Sequence, residues 1–118
     1  MELVCYAKCG TCMKAKKFLM ANNLDYEYRE IVSRPLSVEE LRDVYRKCGL
    51  PIKKLLNTSG LVYRELEMKE KVKTYSDEEI LKLLSEHPML VKRPVLRKED
   101  VVLIGFEEQE WTEKLLKE

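Results

Sequence analysis

Apolar positions along this chain switch between strand-like alternation and helical spacing. Leu3 to Tyr6 is a short apolar run ending at a turn, which predicts a first strand. Cys12, Ala15, Phe18 and Leu19 then recur at helical spacing, with Lys14, Lys16 and Lys17 spread toward solvent. They predict a helix from Cys9 to Ala21, stopped at Asn22-Asn23. Tyr26 and Tyr28, with Val32 beyond, mark a second strand in which Glu27 and Arg29 alternate with the tyrosines. A helix between two strands is a βαβ unit, so these strands should run parallel through a right-handed crossover.

The middle of the chain reads as helical. Ser37-Val38-Glu39-Glu40 is a capping box followed by Leu41, Val44 and Tyr45 on one face, and Cys48-Gly49 ends that helix. Pro51 can open a short helix through Ile52, Leu55 and Leu56. Asn57-Thr58-Ser59-Gly60 reads as a loop, and Leu61 to Leu66 as another helical turn or two. Ser76-Asp77-Glu78-Glu79 is a second capping box, leading into Ile80, Leu81, Leu83 and Leu84, and His87-Pro88 stops that helix. Val95 to Arg97 and Val101 to Ile104 read as strands joined by Lys98-Glu99-Asp100, and Glu107 to Leu116 as a closing helix with acidic residues in its first turn. The expected fold is therefore α/β and thioredoxin-like. A small mixed sheet carries flanking helices, with a helical insertion over about 37–87 inside a single domain spanning 1–118.

Composition narrows the picture. The 118 residues suit one domain able to bury a core without metal or disulfide support. A hydrophobic fraction of 45% beside 36% charged residues argues for a soluble globule rather than disorder. The net charge of +1 supplies no global field for nucleic acid or an acidic membrane. No apolar run is long enough to span a bilayer, and Met1-Glu2-Leu3-Val4-Cys5 lacks the pattern of a signal peptide. The expected location is the cytoplasm, where a CxxC means redox or metal chemistry rather than a structural staple.

That motif is Cys9-Gly10-Thr11-Cys12, at the turn from the first strand into the first helix. Free N–H groups and partial positive charge at a helix N-terminus stabilise a thiolate, so Cys9 is expected to be the more acidic thiol and the nucleophile. Cys12 lies one turn on, about 5–6 Å away and within disulfide reach, and is expected to resolve the mixed disulfide. A reversible Cys9–Cys12 disulfide should form, with Cys5 as the main competitor. The alternatives are a purely structural pair of buried thiols and half of a zinc site completed by Cys48 and His87, but no second CxxC or HxxxH pair accompanies the latter. Cys5 reads as a small core residue, Cys48 as incidental and His87 as a helix-ending cap. Trp111 and Phe106 read as core or core-edge, while Met13, Met20, Met68 and Met89 form no stripe.

Several segments resemble the ArsC/Spx family of thioredoxin-fold proteins over nearly the whole length. They are Tyr6-Ala7-Lys8-Cys9-Gly10-Thr11-Cys12 with Lys14-Ala15, Leu55-Leu56-Asn57-Thr58-Ser59-Gly60, Tyr63-Arg64-Glu65-Leu66, and Pro88-Met89-Leu90-Val91-Lys92-Arg93-Pro94-Val95. The stretch from Val102 to Trp111 resembles the same family, and the nearest subgroup is that of bacterial proteins labelled as arsenate reductases. The resemblance implies that Cys9 attacks arsenate or a related substrate, and that glutathione with glutaredoxin, or thioredoxin, serves as the thiol reductant, with no bound cofactor. It also implies that Arg93 holds the anion before a cis-proline at Pro94. Thr11 and Lys14 are expected to join Arg93 in binding substrate.

The pattern departs from the family at three places. Positions that carry arginines in well-studied reductases fall on Met13, Asn57 and Gly105, so arsenate should bind weakly unless Lys14 or Arg64 substitutes. The Spx branch implies a different class of function: a redox-sensing regulator that binds the RNA polymerase alpha subunit rather than turning over a substrate. The glycine of that contact falls on Pro51 here, which counts against this role.

Overall fold

The computed structural model describes residues 1–117. Its sheet is built from β1 (Glu2–Cys5), β2 (Glu27–Glu30), β3 (Val95–Lys98) and β4 (Val101–Ile104), in the order β2-β1-β3-β4. β1 and β2 are parallel and joined through α1 (Gly10–Ala21), whereas β3 runs antiparallel to both β1 and β4. Between β2 and β3 lie α2 (Val38–Cys48), α3 (Leu61–Glu65), α4 (Met68–Thr74) and α5 (Asp77–Glu86), with single 3₁₀ turns at Ile52–Leu55 and Pro88–Leu90. The chain closes with α6 (Glu108–Leu115). This is the mixed, thioredoxin-like sheet with a helical insertion expected from the sequence.

Strand alternation divides the core in two. Leu3 and Cys5 of β1 face one side with Leu96 and Leu103, packed against Cys12, Ala15, Phe18 and Leu19 of α1 and Trp111 of α6. Val4, Val95 and Val102 face the other side and are covered by the insertion, including Leu41, Val44, Ile80, Leu81 and Leu84. The Trp111 indole is fully buried and its Nε1–H donates to the Gly105 carbonyl at 3.1 Å, which ties α6 to the end of β4.

Both predicted capping boxes form: Ser37 accepts from the Glu40 N–H and Ser76 from the Glu79 N–H, with each glutamate accepting in return from the cap's own N–H. Glu40 also receives Arg29 at 2.6 Å and Arg97 at 3.2 Å, so α2 is bound to the sheet by a shared carboxylate. The Arg29 hydrogen bond, working against partial burial, holds that carboxyl down at about 2.

Three boundaries differ from the sequence expectation. The second strand stops at Glu30 because the Arg34 N–H folds back to the Glu30 carbonyl, which leaves Val32 in a turn and exposed. Lys98 belongs to β3, so the hairpin turns at Glu99-Asp100, with Glu99 at φ 50. Met68–Thr74 is helical where no helix was expected; Glu67, at φ 53, redirects the chain and Met68 is buried completely. Among the described residues no helix is long and apolar enough to cross a membrane.

Candidate functional site

Cys9 is the N-cap of α1. Its backbone is extended, and its carbonyl accepts the Met13 N–H at 3.2 Å. The next three N–H groups therefore have no acceptor within the helix, and the first turn carries no acidic residue to compete for them. The approach to Cys9 is held in place on both sides. The Cys9 N–H bonds the Tyr6 carbonyl at 3.0 Å, and the Ala7 N–H bonds Glu30 Oε1 at 3.2 Å. The Tyr28 hydroxyl donates to the other oxygen of Glu30 at 2.6 Å, so β2 orients the carboxylate that fixes the loop.

The two motif cysteines differ in access. Cys9 is half-buried, whereas Cys12 is only 1% exposed and sits in the core beside Cys5. A hydrogen bond from the Cys5 thiol leads the contacts that lower Cys12 to about 6. A Tyr6 backbone bond, the Cys9 thiol and the Arg93 charge act in the same direction, against the opposing effect of burial. The Cys5 thiol is driven far upward by the same bond and by its burial. The sequence expectation placed the acidified thiol at Cys9. The contacts that stabilise a thiolate instead converge on Cys12, because the end of β1 brings a third thiol to it. Cys5 is the core residue expected, and it is also Cys12's hydrogen-bond donor.

Cys5 and Cys12 titrate as a pair. Native Cys12 ionises below an ordinary thiol, so its contribution to stability is complete above the usual 9.0 and is lost as pH falls through about 6. Replacing Cys5 by alanine removes the leading cause, so the Cys12 midpoint should rise from about 6 toward 9.0. Thiolate absorbance against pH, in wild type and Cys5→Ala, measures this; coincident curves would remove Cys5 from the account.

Arg93 precedes the site's proline, and the Arg93–Pro94 bond is cis. Its guanidinium lies 5.4 Å from the centroid of the Tyr6 ring. Nη1 donates to the Val91 carbonyl at 3.0 Å and to the Met89 carbonyl at 3.3 Å, while Nε is buried without a partner among the described residues. Backbone oxygens and an aromatic face hold the group, and among the described residues no carboxylate pairs with it. Cys9, Thr11, Asn57, Lys92, Arg93 and Glu107 line one cleft of about 430 Å³, with Gly105 and Phe106 at its wall.

The other sequence candidates lie elsewhere. Lys14 lines a separate groove of about 620 Å³ between α1 and α6, with Lys17, Phe18, Phe106 and Thr112, and that groove holds no thiol. Arg64 is exposed on α3, and Met13 on α1 is 54% exposed. Cys48 caps the end of α2, donating to the Tyr45 carbonyl and accepting the Leu50 N–H, both at 3.4 Å. His87 is the C-cap of α5, where its N–H reaches the Leu83 carbonyl. No group of three or more His, Cys, Asp or Glu side chains among the described residues is arranged to hold a metal ion. Lys92 and Glu30 were not singled out from the sequence. Nothing marks Glu30 in the local pattern, whereas Lys92 stands next to Arg93 in the Lys-Arg-Pro run.

Comparison with known proteins places this geometry in context. The ArsC family model matches residues 5–114. The chain is 45% identical over 108 residues to YusI of Bacillus subtilis, an uncharacterized protein, covering 92% of each chain. It is 32% identical to the global transcriptional regulator Spx 2 of Bacillus anthracis, over 88% of this chain and 78% of that one. The crystal structure of an ArsC family related protein from Bacteroides fragilis superposes with a TM-score of 0.92 at 45% identity, covering 95% of this chain and 94% of that one.

Proposed function

The chain belongs to the ArsC family, and from that membership together with the Cys9 cleft we propose that it is a thiol–disulfide oxidoreductase in which Cys9 attacks and Cys12 resolves. One observation carries this reading. A reachable thiol at the N-terminus of α1 shares a cleft with an arginine that has no carboxylate partner among the described residues, and a buried thiol that favours ionisation lies one turn behind it.

The chemistry follows from those positions. The Cys9 thiolate attacks one sulfur of a substrate disulfide, the S–S bond breaks, and the departing sulfur leaves as a thiolate that takes up a proton. Arg93 and the free N–H groups of α1 stabilise the negative charge that crosses the cleft. Cys12 then attacks Cys9 Sγ, which releases the second substrate thiol and closes a Cys9–Cys12 disulfide. Two electrons pass from the protein dithiol to the substrate, and a dithiol of the thioredoxin class, or glutathione with glutaredoxin, returns them.

A second reading rests on the similarity to Spx 2, a global transcriptional regulator. In it the same cysteine pair reports oxidation to a bound partner, the RNA polymerase alpha subunit, without turnover. Coupled assays of the purified protein with thioredoxin and with glutaredoxin, against arsenate and a small mixed disulfide, test the first reading. Multiple turnovers are expected. A single stoichiometric oxidation, together with oxidation-dependent capture of the alpha subunit, would replace it by the second.

A further inference from the structure

The geometry points to Lys92 as a second substrate-binding cation of the Cys9 cleft, one that selects substrates carrying a carboxylate beside the reacting sulfur. The inference rests on the oxidoreductase reading and deepens it by naming a substrate class.

Lys92 directly precedes Arg93 in the bend that leads into β3, and adjacent residues ordinarily point their side chains in different directions. Its N–H is used by the Leu55 carbonyl at 2.9 Å, which fixes the start of the side chain. Even so, Lys92 and Arg93 both line the cleft that holds Cys9. The Lys92 stem passes close over Gly105. A Cβ built there would meet Lys92 Cε at 3.1 Å and Nζ at 3.7 Å, so the lysine stem lies across bare glycine backbone.

Gly105 is a rigid floor for that stem. It sits at φ +75, donates its N–H to the Pro94 carbonyl at 2.8 Å, and accepts the Trp111 indole N–H at 3.1 Å. The aliphatic part of Lys92 is thus laid on the protein while its ammonium remains wet, the usual division of labour for a long cationic side chain. That ammonium enters none of the ion pairs found among the described residues. Among the described residues two cations therefore face the cleft against one carboxylate, that of Glu107, before any charge on Cys9 is counted. The lining favours an anionic ligand, and it does so beside the nucleophile.

Arg93 and Lys92 offer different things. The guanidinium is clamped by two carbonyls and an aromatic ring, so it acts as a fixed charge. The ammonium stands on an exposed residue at the end of a stem with several rotatable bonds, suited to a carboxylate whose distance from the sulfur varies. An exposed contact of this kind changes selection by about two- to fivefold rather than by orders of magnitude.

The test compares anionic and neutral probes of the same thiol. Cys9 alkylation by iodoacetate and by iodoacetamide is followed by mass spectrometry at low ionic strength, in wild type, Lys92→Met, Lys92→Gln and Lys92→Arg. The iodoacetate-to-iodoacetamide rate ratio should fall about two- to fivefold in Lys92→Met and Lys92→Gln and be retained in Lys92→Arg. In parallel, kcat/KM for 3,3′-dithiodipropionate should fall by a similar factor while that for bis(2-hydroxyethyl) disulfide stays level. An alkylation ratio equal in wild type and both neutral variants overturns the assignment, even if both disulfides are turned over. A ratio that falls while no disulfide is turned over by wild type supports Lys92 as the anion-selecting cation and retires the oxidoreductase reading instead.

Discussion

Cys9→Ser should abolish disulfide turnover, lowering kcat/KM by at least about a thousandfold, while Cys12→Ser should complete one attack and then stop as a covalent adduct on Cys9. The asymmetry follows from access. A substrate sulfur must approach the nucleophile in line, and only Cys9 of the pair opens on the cleft, Cys12 being 1% exposed. A serine hydroxyl at the same N-cap gains the same helix field but stays protonated at neutral pH, so it cannot replace a thiolate. Cys12 has the complementary properties. It is held one turn behind Cys9, and its contacts with Cys5 and Tyr6 favour the thiolate, the form that attacks the mixed disulfide in front of it. Without it, the adduct on Cys9 persists until an external thiol attacks. Intact-mass measurement after mixing with a small disulfide separates the variants: no adduct for Cys9→Ser, one stoichiometric adduct for Cys12→Ser. Cys5 is the one thiol that could confuse the result, since it lies against Cys12 inside the core. Peptide mapping that found a Cys5–Cys9 bridge in Cys12→Ser, with turnover preserved, would transfer the resolving role to Cys5.

Most of the frame was legible because it rests on local rules. Alternation in β1 and helical spacing in α1 follow from burial on one face, and Ser37 and Ser76 announce their helices through a cap that is complete within four residues. Gly49 ends α2 in the left-handed region, as a glycine there can. The placement of Cys9 at the strand-to-helix turn came from the same reasoning. The failures come from tertiary contacts. α4 offers only Met68 and Val72 as apolar positions and has no capping side chain; the packing of Met68 into the insertion core makes it a helix. Val32 looks like a strand residue by type, yet the sheet has ended before it. At the site, the helix-dipole argument singled out Cys9 because it considered one element. Cys12 receives hydrogen bonds from the ends of two, since Cys5 and Tyr6 come from the other side of the turn. Lys92 was invisible for a related reason. Its stem lies against Gly105, on the far side of the β3–β4 hairpin, a contact that no local pattern announces.

Arsenate should be a poor substrate, with kcat/KM at least about a hundredfold below that for an anionic disulfide under the same reductant. Attack on arsenate drives a thiolate toward a multiply charged oxyanion, and the barrier falls only where cations are already in place around the transition state. Two positions that resemblance to arsenate reductases assigns to arginine, Asn57 and Gly105, do line the cleft with Cys9, and neither carries charge. Each missing charged hydrogen bond is worth about 1.5–3 kcal/mol, so the pair together leaves a defect of about 10²–10⁴ in rate. The third such position, Met13, is exposed on α1 and brings no charge either. Lys14 does not make up the difference, because it lines the groove between α1 and α6. Lys92 recovers part of the loss, but as one exposed ammonium rather than a bidentate fork. A disulfide asks less of the site. It is attacked at a neutral sulfur, and its carboxylate can be held at the mouth of the cleft while the leaving thiolate meets Arg93. The decisive variant is Asn57→Arg, which restores a guanidinium beside Cys9 at a half-buried position on the cleft wall. It should raise arsenate kcat/KM by about tenfold or more and change that for bis(2-hydroxyethyl) disulfide little. Wild-type turnover of arsenate as fast as of 3,3′-dithiodipropionate, lost in Cys9→Ser, would show that the helix N-terminus, Arg93 and Lys92 suffice for the oxyanion.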